Sequence, residues 1–151
     1  MKKFFIITNG LKDIELKVTK KIRTILDEKS IEYQINSVLN SGKNRDVFYT
    51  NKNDIDADTD CILVIGGDGT LIQAARDLAD VDIPMIGVNL GHLGYLAEIE
   101  RDNIEETISM IIDNNYKIES RIMLNGDVFR DGKKLYEDIA LNDIVLGRAG
   151  T

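Results

Sequence analysis

Apolar residues along this chain follow two rhythms, and the changes between them mark its elements. Phe4-Phe5-Ile6-Ile7 is continuous and closes at Asn9-Gly10, which predicts a buried strand over Phe4 to Thr8. Ile14, Val18, Ile22, Ile25 and Leu26 then recur every three or four residues. That spacing predicts a helix from about Lys12 to Lys29, with its Lys, Glu and Asp residues on the solvated face. Ile31 to Ile35 alternates apolar and polar residues, as in a strand with one covered face. Ser37 to Asn53 is polar and reads mostly as loop. Cys61 to Ile65 is a second continuous run, and Leu71 to Ala79 returns to helical spacing. Ile83 to Val88 is a third run, interrupted by Pro84 and Gly87. Asp102 with Glu105 has the form of a capping box, and it opens a helix whose apolar stripe is Ile104, Ile108, Ile111 and Ile112.

Strands alternating with helices predict a parallel sheet with helices packed on it, joined by right-handed crossovers. The fold class is therefore α/β and Rossmann-like. After about Lys117 the rhythm changes. Ile118 to Phe129 and Lys133 to Ile139 read as strands joined by Asp131-Gly132, a strong hairpin signal. A short run, Ile144 to Leu146, follows Asn142-Asp143. Two or three strands make a poor sheet alone. The expectation is an α/β domain over 1–116 and the first strands of a truncated, β-rich second domain over 117–151.

Composition narrows the partners. A net charge of −7 disfavours DNA or RNA, which need clustered Lys and Arg, but leaves room for a nucleotide held by local donors. The apolar part of the N-terminus ends at Thr8, too soon for a signal peptide, and no run approaches membrane-spanning length. With one cysteine in 151 residues no intramolecular disulfide can form, and Cys61 is expected to be a small buried core residue. These features predict a soluble cytoplasmic protein without nucleic-acid or membrane partners. Asp54, Asp56, Asp58 and Asp60 stand at every second position. Neither register starting at Asp54 or Asp56 supplies the Gly and Glu of a calcium loop, so the run reads as an acidic loop.

The chemistry lies in two glycine loops, both at carboxyl ends of strands, where such folds bind ligands. The first is Gly66-Gly67-Asp68-Gly69-Thr70, between a strand and a helix. Bare main-chain amides and the positive end of the helix dipole make a phosphate cradle there. It is neither a P-loop nor the dinucleotide fingerprint, whose third glycine is missing. Asp68 is the informative member. A carboxylate repels phosphate, so its presence implies orienting a hydroxyl, taking its proton, or holding a divalent cation. The alternative is a βα turn without a ligand. The second loop is Gly87-Val88-Asn89-Leu90-Gly91-His92-Leu93-Gly94-Tyr95-Leu96. Tyr95 offers either a flat face to a base or a core or hinge aromatic. His92, the single histidine, has no nucleophile motif beside it and reads as a loop residue.

These segments resemble the NAD kinase family. The first loop is similar to its Gly-Gly-Asp-Gly-Thr motif, and the second to its Gly-x-Asn-x-Gly-x-Leu-Gly-Phe/Tyr segment. Ala140-Leu141-Asn142-Asp143 is similar to its Ala-Leu/Ile-Asn-Glu segment. The order agrees, and the resemblance covers nearly the whole chain. It implies transfer of the ATP γ-phosphoryl group to the 2′-hydroxyl of the adenosine ribose of NAD, giving NADP. It also implies a divalent cation, usually Mg2+, and a homo-oligomer for the full-length protein. Carried over, Asp68 is the base or orienter of the hydroxyl, and Gly67 and Gly69 line the phosphate-contacting turn. Tyr95 borders the adenine pocket, and Asn142 and Asp143 hold the NAD. Asp143 stands where the family usually has Glu, one methylene longer. The family's later motifs, a Gly-Asp-Gly turn and a Thr-rich loop, do not occur, so this chain alone is expected to have little kinase activity. The first motif is shared with diacylglycerol kinases and, more loosely, phosphofructokinases. A lipid kinase and a non-catalytic nucleotide-binding module are therefore the alternatives.

Overall fold

The computed structural model describes residues 1–38, 50–91 and 94–147. The chain divides into two compact units, Met1–Ile118 and Glu119–Thr151. The first contains a parallel sheet of β1 (Lys3–Asn9), β2 (Glu32–Val38), β3 (Cys61–Gly66) and β4 (Met85–Asn89) in the order β2-β1-β3-β4. The continuous apolar runs became its central strands, because strands covered on both faces have no polar side to show.

Alternation along each strand divides the core in two. Phe4, Ile6, Cys61, Leu63, Ile65 and Val88 share one cluster with Ile22, Ile25 and Leu26 of α1 (Lys17–Glu28) and Ile104, Ile108 and Ile111 of α3 (Ile104–Ile112). Phe5, Ile7, Ile62 and Val64 share the other with Leu71 and Ala74 of α2 (Asp68–Asp77) and with Leu78 beyond it. Helices thus cover both faces. Cys61 is buried as expected, and burial pushes its thiol up to about 12. The acidic loop also has a structural use. Asp56 and Asp58 reach the Lys3 ammonium at 2.8 and 2.6 Å, and Asp60 accepts the main-chain N–H groups of Lys2 and Lys3. Among the described residues, no group of three or more His, Cys, Asp or Glu side chains could hold a metal ion. No described helix is long and apolar enough to cross a membrane.

Several boundaries differ from the periodicity. The first helix begins at Lys17 rather than Lys12. Glu15 and Leu16 have φ of 56° and 53°, which breaks the chain between a short 3-10 turn at Ile14–Leu16 and α1. Ile14 is consequently 69% exposed and leaves the apolar stripe. The capping box at Asp102 and Glu105 does not form. Asp102 lies inside a 3-10 turn, Arg101–Asn103, and α3 starts after Asn103 with no side-chain cap. The helix of the first glycine loop starts at Asp68, earlier than its apolar spacing, and ends at Asp77. The polar stretch from Ser37 gives its first two residues to β2, includes a 3-10 turn at Lys52–Asp54, and otherwise lies mostly outside the described residues.

The second unit is a hairpin of β5 (Met123–Arg130) and β6 (Lys133–Leu141). Asp131 and Gly132 both have positive φ, 52° and 73°, as the mirror-image two-residue turn requires. The first of these strands begins five residues later than its apolar pattern, at Met123 rather than Ile118. Ile144 to Leu146 pairs with no strand among the described residues, and Leu146 is 96% exposed.

Candidate functional site

In the order β2-β1-β3-β4, the connection from β1 goes one way across the sheet and the connection from β3 goes the other. The crevice between the carboxyl ends of β1 and β3 is the topological switch point, where open α/β sheets bind ligands. The loop after β1 and the first glycine loop flank it, and the second glycine loop leaves the adjacent strand β4.

The first loop is built as its sequence implies. Gly67 is the N-cap of α2, and its carbonyl accepts the N–H groups of Thr70 and Leu71 at 2.8 and 3.1 Å. Gly67 has no side chain to cap the first turn, whose main-chain N–H groups carry the positive end of the helix dipole. Gly69, in that turn, has open space where a Cβ would stand. Thr70 is buried and its hydroxyl accepts the Asn9 side-chain amide at 3.3 Å, tying the end of β1 to the first turn of α2.

Asp68 is not free in the cradle. Its Oδ2 accepts the Tyr95 main-chain N–H at 2.8 Å, and its Oδ1 accepts those of Leu96 and Ala97 at 3.2 and 3.1 Å. Partial burial pushes the carboxyl up. The amides of Tyr95, Ala97 and Leu96, with the charge of Lys12, outweigh this and hold it below the ordinary carboxylate value. Asp68 is therefore ionised at neutral pH, suited to orienting a hydroxyl and a weak base toward it.

The second loop returns to the sheet after β4. The Asn89 N–H donates to the Ile99 carbonyl at 2.8 Å, and the Ile99 N–H to the Gly87 carbonyl at 2.9 Å. This closes a short parallel bridge, Val88 to Ile99. Leu90 N–H donates to Gly66 O at 2.7 Å, so the two loops are joined at their roots. Asn89 is buried, and its side-chain oxygen accepts the Gly91 N–H at 2.9 Å. Tyr95 is 98% exposed, which excludes the core reading of its ring. His92 lies outside the described residues. Asn142 and Asp143 stand together at the end of β6 in the second unit. Asn142 has φ of 69° and donates its N–H to Ile122 O at 2.9 Å, which turns the chain off the strand, while Asp143 is exposed.

Sequence reading missed Lys12. Its ammonium lies 3.3 Å from where a Gly67 Cβ would be, over the mouth of the cradle. Main-chain N–H groups of Lys12 and Asp13 donate to the Asn9 carbonyl, both at 2.9 Å, and hold it there. Periodicity placed Lys12 in a helix and so on its solvated face. The usable signal was Asn9-Gly10, a turn at the end of the strand beside the switch point.

A family model described as the ATP-NAD kinase N-terminal domain matches residues 4–116. The chain belongs to the NAD kinase family. Among similar proteins, an NAD kinase of Lachnospira eligens is 40% identical over 150 residues, covering 99% of this chain and 51% of the relative. One from Lachnoclostridium phytofermentans is 42% identical over 154 residues, covering 99% and 52%. The chain thus spans about half the length of these NAD kinases. Two solved structures share the fold. Yeast NADH kinase complexed with NADH has a TM-score of 0.66 at 16% identity, covering 93% of this chain and 46% of that one. An NAD kinase from Archaeoglobus fulgidus in complex with ATP has a TM-score of 0.55 at 17% identity, covering 83% and 40%.

Proposed function

We propose that this chain supplies the phosphoryl-transfer centre of an NAD kinase, which moves the γ-phosphoryl group of ATP to the 2′-hydroxyl of the adenosine ribose of NAD. The observation that carries the reading is the ionised Asp68 at the uncapped N-terminus of α2, beside the Lys12 ammonium and locked to the second glycine loop. Phosphate suits the amides of Gly67 and Gly69 and the cation of Lys12. A sugar hydroxyl suits the carboxylate.

In the proposed step the ribose 2′-oxygen forms a bond to the γ-phosphorus as the bond to the bridging oxygen of ADP breaks. The transition state is loose, so positioning and charge neutralisation matter more than early removal of the proton. Asp68 accepts a hydrogen bond from the hydroxyl, takes the proton late and passes it to solvent. An aspartate with a lowered pKa fits this role better than that of an early base. A Mg2+ ion accompanying ATP would be held by the phosphate oxygens, its ordinary mode, leaving Asp68 to the hydroxyl. Tyr95 presents its ring to solvent, and in this reading it borders the adenine while Asn142 and Asp143 hydrogen-bond the NAD. A homo-oligomer accompanies this reading as its proposed assembly.

The test is NADP formation from NAD and Mg-ATP by the natural protein that carries this chain, with polyphosphate as a second donor and diacylglycerol as a second acceptor. NADP should form, and Asp68→Asn should leave NAD affinity intact while lowering turnover by about a hundredfold or more. Phosphorylation of diacylglycerol without NADP formation would move the chain to the lipid kinases. Nucleotide binding without any product would make it a binding module.

A further inference from the structure

A carboxylate has about four lone-pair positions for hydrogen bonds. Three of those on Asp68 are filled by consecutive main-chain amides, two on Oδ1 and one on Oδ2. Among the described residues, the remaining acceptor position is on Oδ2. The donors form a continuous segment, and the residue before them is Gly94. A Cβ at Gly94 would stand inside contact distance of the carboxylate carbon and both its oxygens. Only glycine lets the carboxylate sit so close to the turn that presents the amides. The seat is itself anchored, since Ala97 and Ile99 are buried and Ile99 is bonded back to β4.

We infer that Gly94–Ala97 is the positioning element of Asp68, aiming its one open Oδ2 position at the acceptor, with Gly94 as the residue that makes the seat possible. This rests on the reading that Asp68 meets the acceptor hydroxyl. The consequence is a restriction in chemistry. A carboxylate with both oxygens open chelates a vicinal diol, one hydroxyl on each oxygen. With Oδ1 filled, Asp68 engages a single hydroxyl of the ribose diol. The second glycine loop thereby limits the carboxylate to one hydroxyl at a time, without touching the substrate through those amides.

Gly94→Ala tests this, because it disturbs the seat without removing the carboxylate. Two readouts use the protein without substrate. The Asp68 carboxyl, followed by carbon NMR through an acid titration, should move up toward its ordinary value in Gly94→Ala. Hydrogen exchange at Tyr95, Leu96 and Ala97 should quicken by about tenfold or more. A third readout uses the natural protein with NAD and Mg-ATP. There kcat should fall by about a hundredfold, the usual effect of a misplacement of about 1 Å at a reacting centre, with KM for NAD little changed. Should Gly94→Ala fail to fold, Asp68→Asn serves for exchange. Its amide keeps one acceptor oxygen for Leu96 and Ala97 and turns an NH2 toward the Tyr95 N–H, so exchange should quicken at Tyr95. Unchanged titration and exchange in Gly94→Ala, or unchanged exchange in Asp68→Asn, overturn the seat whatever the enzyme does. An altered seat with wild-type kcat overturns its role in positioning. An altered seat in a protein that makes no NADP at all counts instead against the proposed function.

Discussion

Asp68 and Lys12 show what a single residue reveals in sequence and what it conceals. A carboxylate among glycines is chemically odd, and that oddness was readable without coordinates. Its three amide partners were not, because they lie 27 to 29 residues away along the chain. Lys12 is one of 19 basic residues and stands out only by place. A cation beside a helix N-terminus is unfavourable, since both present positive charge. The Asp68 charge offsets this only in part, since among the described residues no acidic group lies within ion-pair distance of Lys12. An anion in the cradle would relieve both. Lys12→Gln is therefore expected to weaken binding of inorganic triphosphate or ATP by about tenfold, within the range of one charge-assisted hydrogen bond. It should also flatten the salt dependence of binding, while Lys12→Arg retains most of the affinity. Calorimetric titration at two salt concentrations checks this, and equal affinity for wild type and Lys12→Gln would remove Lys12 from the site.

At the scale of elements, periodicity located helices and strands and misplaced their ends, for identifiable reasons. A spacing of three and four continues through Ile14 and Val18 whether or not the backbone does. The backbone stops because Asp13 takes over the start of α1. Asp13 is buried, and its two oxygens accept the N–H groups of Val18 and Thr19, both at 2.9 Å, and the Thr19 hydroxyl at 2.6 Å. An aspartate four residues ahead of the first helical residue does the work of an N-cap, and the left-handed Glu15 and Leu16 let the chain double back to allow it. No local rule reads such a displaced cap. The capping box at Asp102 failed in the opposite sense, since its local pattern was present and the helix began two residues later. Asp13→Ala should orphan one buried and one part-buried amide and destabilise the protein by about 2 kcal/mol, a lost cap plus unpaired donors. Urea denaturation gives the value, and a loss below about 0.5 kcal/mol would show that the cap is dispensable. The effect extends to the site, because the Asn9 to Asp13 turn that carries Lys12 is pinned at its far end by this aspartate.

For the whole molecule, the sequence implied a parallel sheet and put both glycine loops at its carboxyl edge, but the strand order was not in it. Periodicity says which faces are buried and is silent on which strands are neighbours. The reversal between β1 and β3 creates the crevice, and it comes from pairings such as Ile6 with Leu63, over 50 residues apart. The hairpin was legible from Asp131-Gly132 alone, because a two-residue turn is a local event. The two core clusters that support the crevice draw their buried residues from Phe4 to Ile111. A unit of that size buries about two-thirds of its unfolded surface and needs no disulfide or metal to stand. Residues 1–118 expressed alone should therefore unfold in one cooperative urea transition. Cys61, buried on β3 with its thiol pushed up to about 12, reports on the same core. It should resist thiol reagents both in the isolated unit and in the 151-residue chain, and react once urea passes the midpoint. A broad, non-cooperative transition, or rapid labelling of Cys61 without denaturant, would mean that the sheet depends on residues beyond Ile118 for its core.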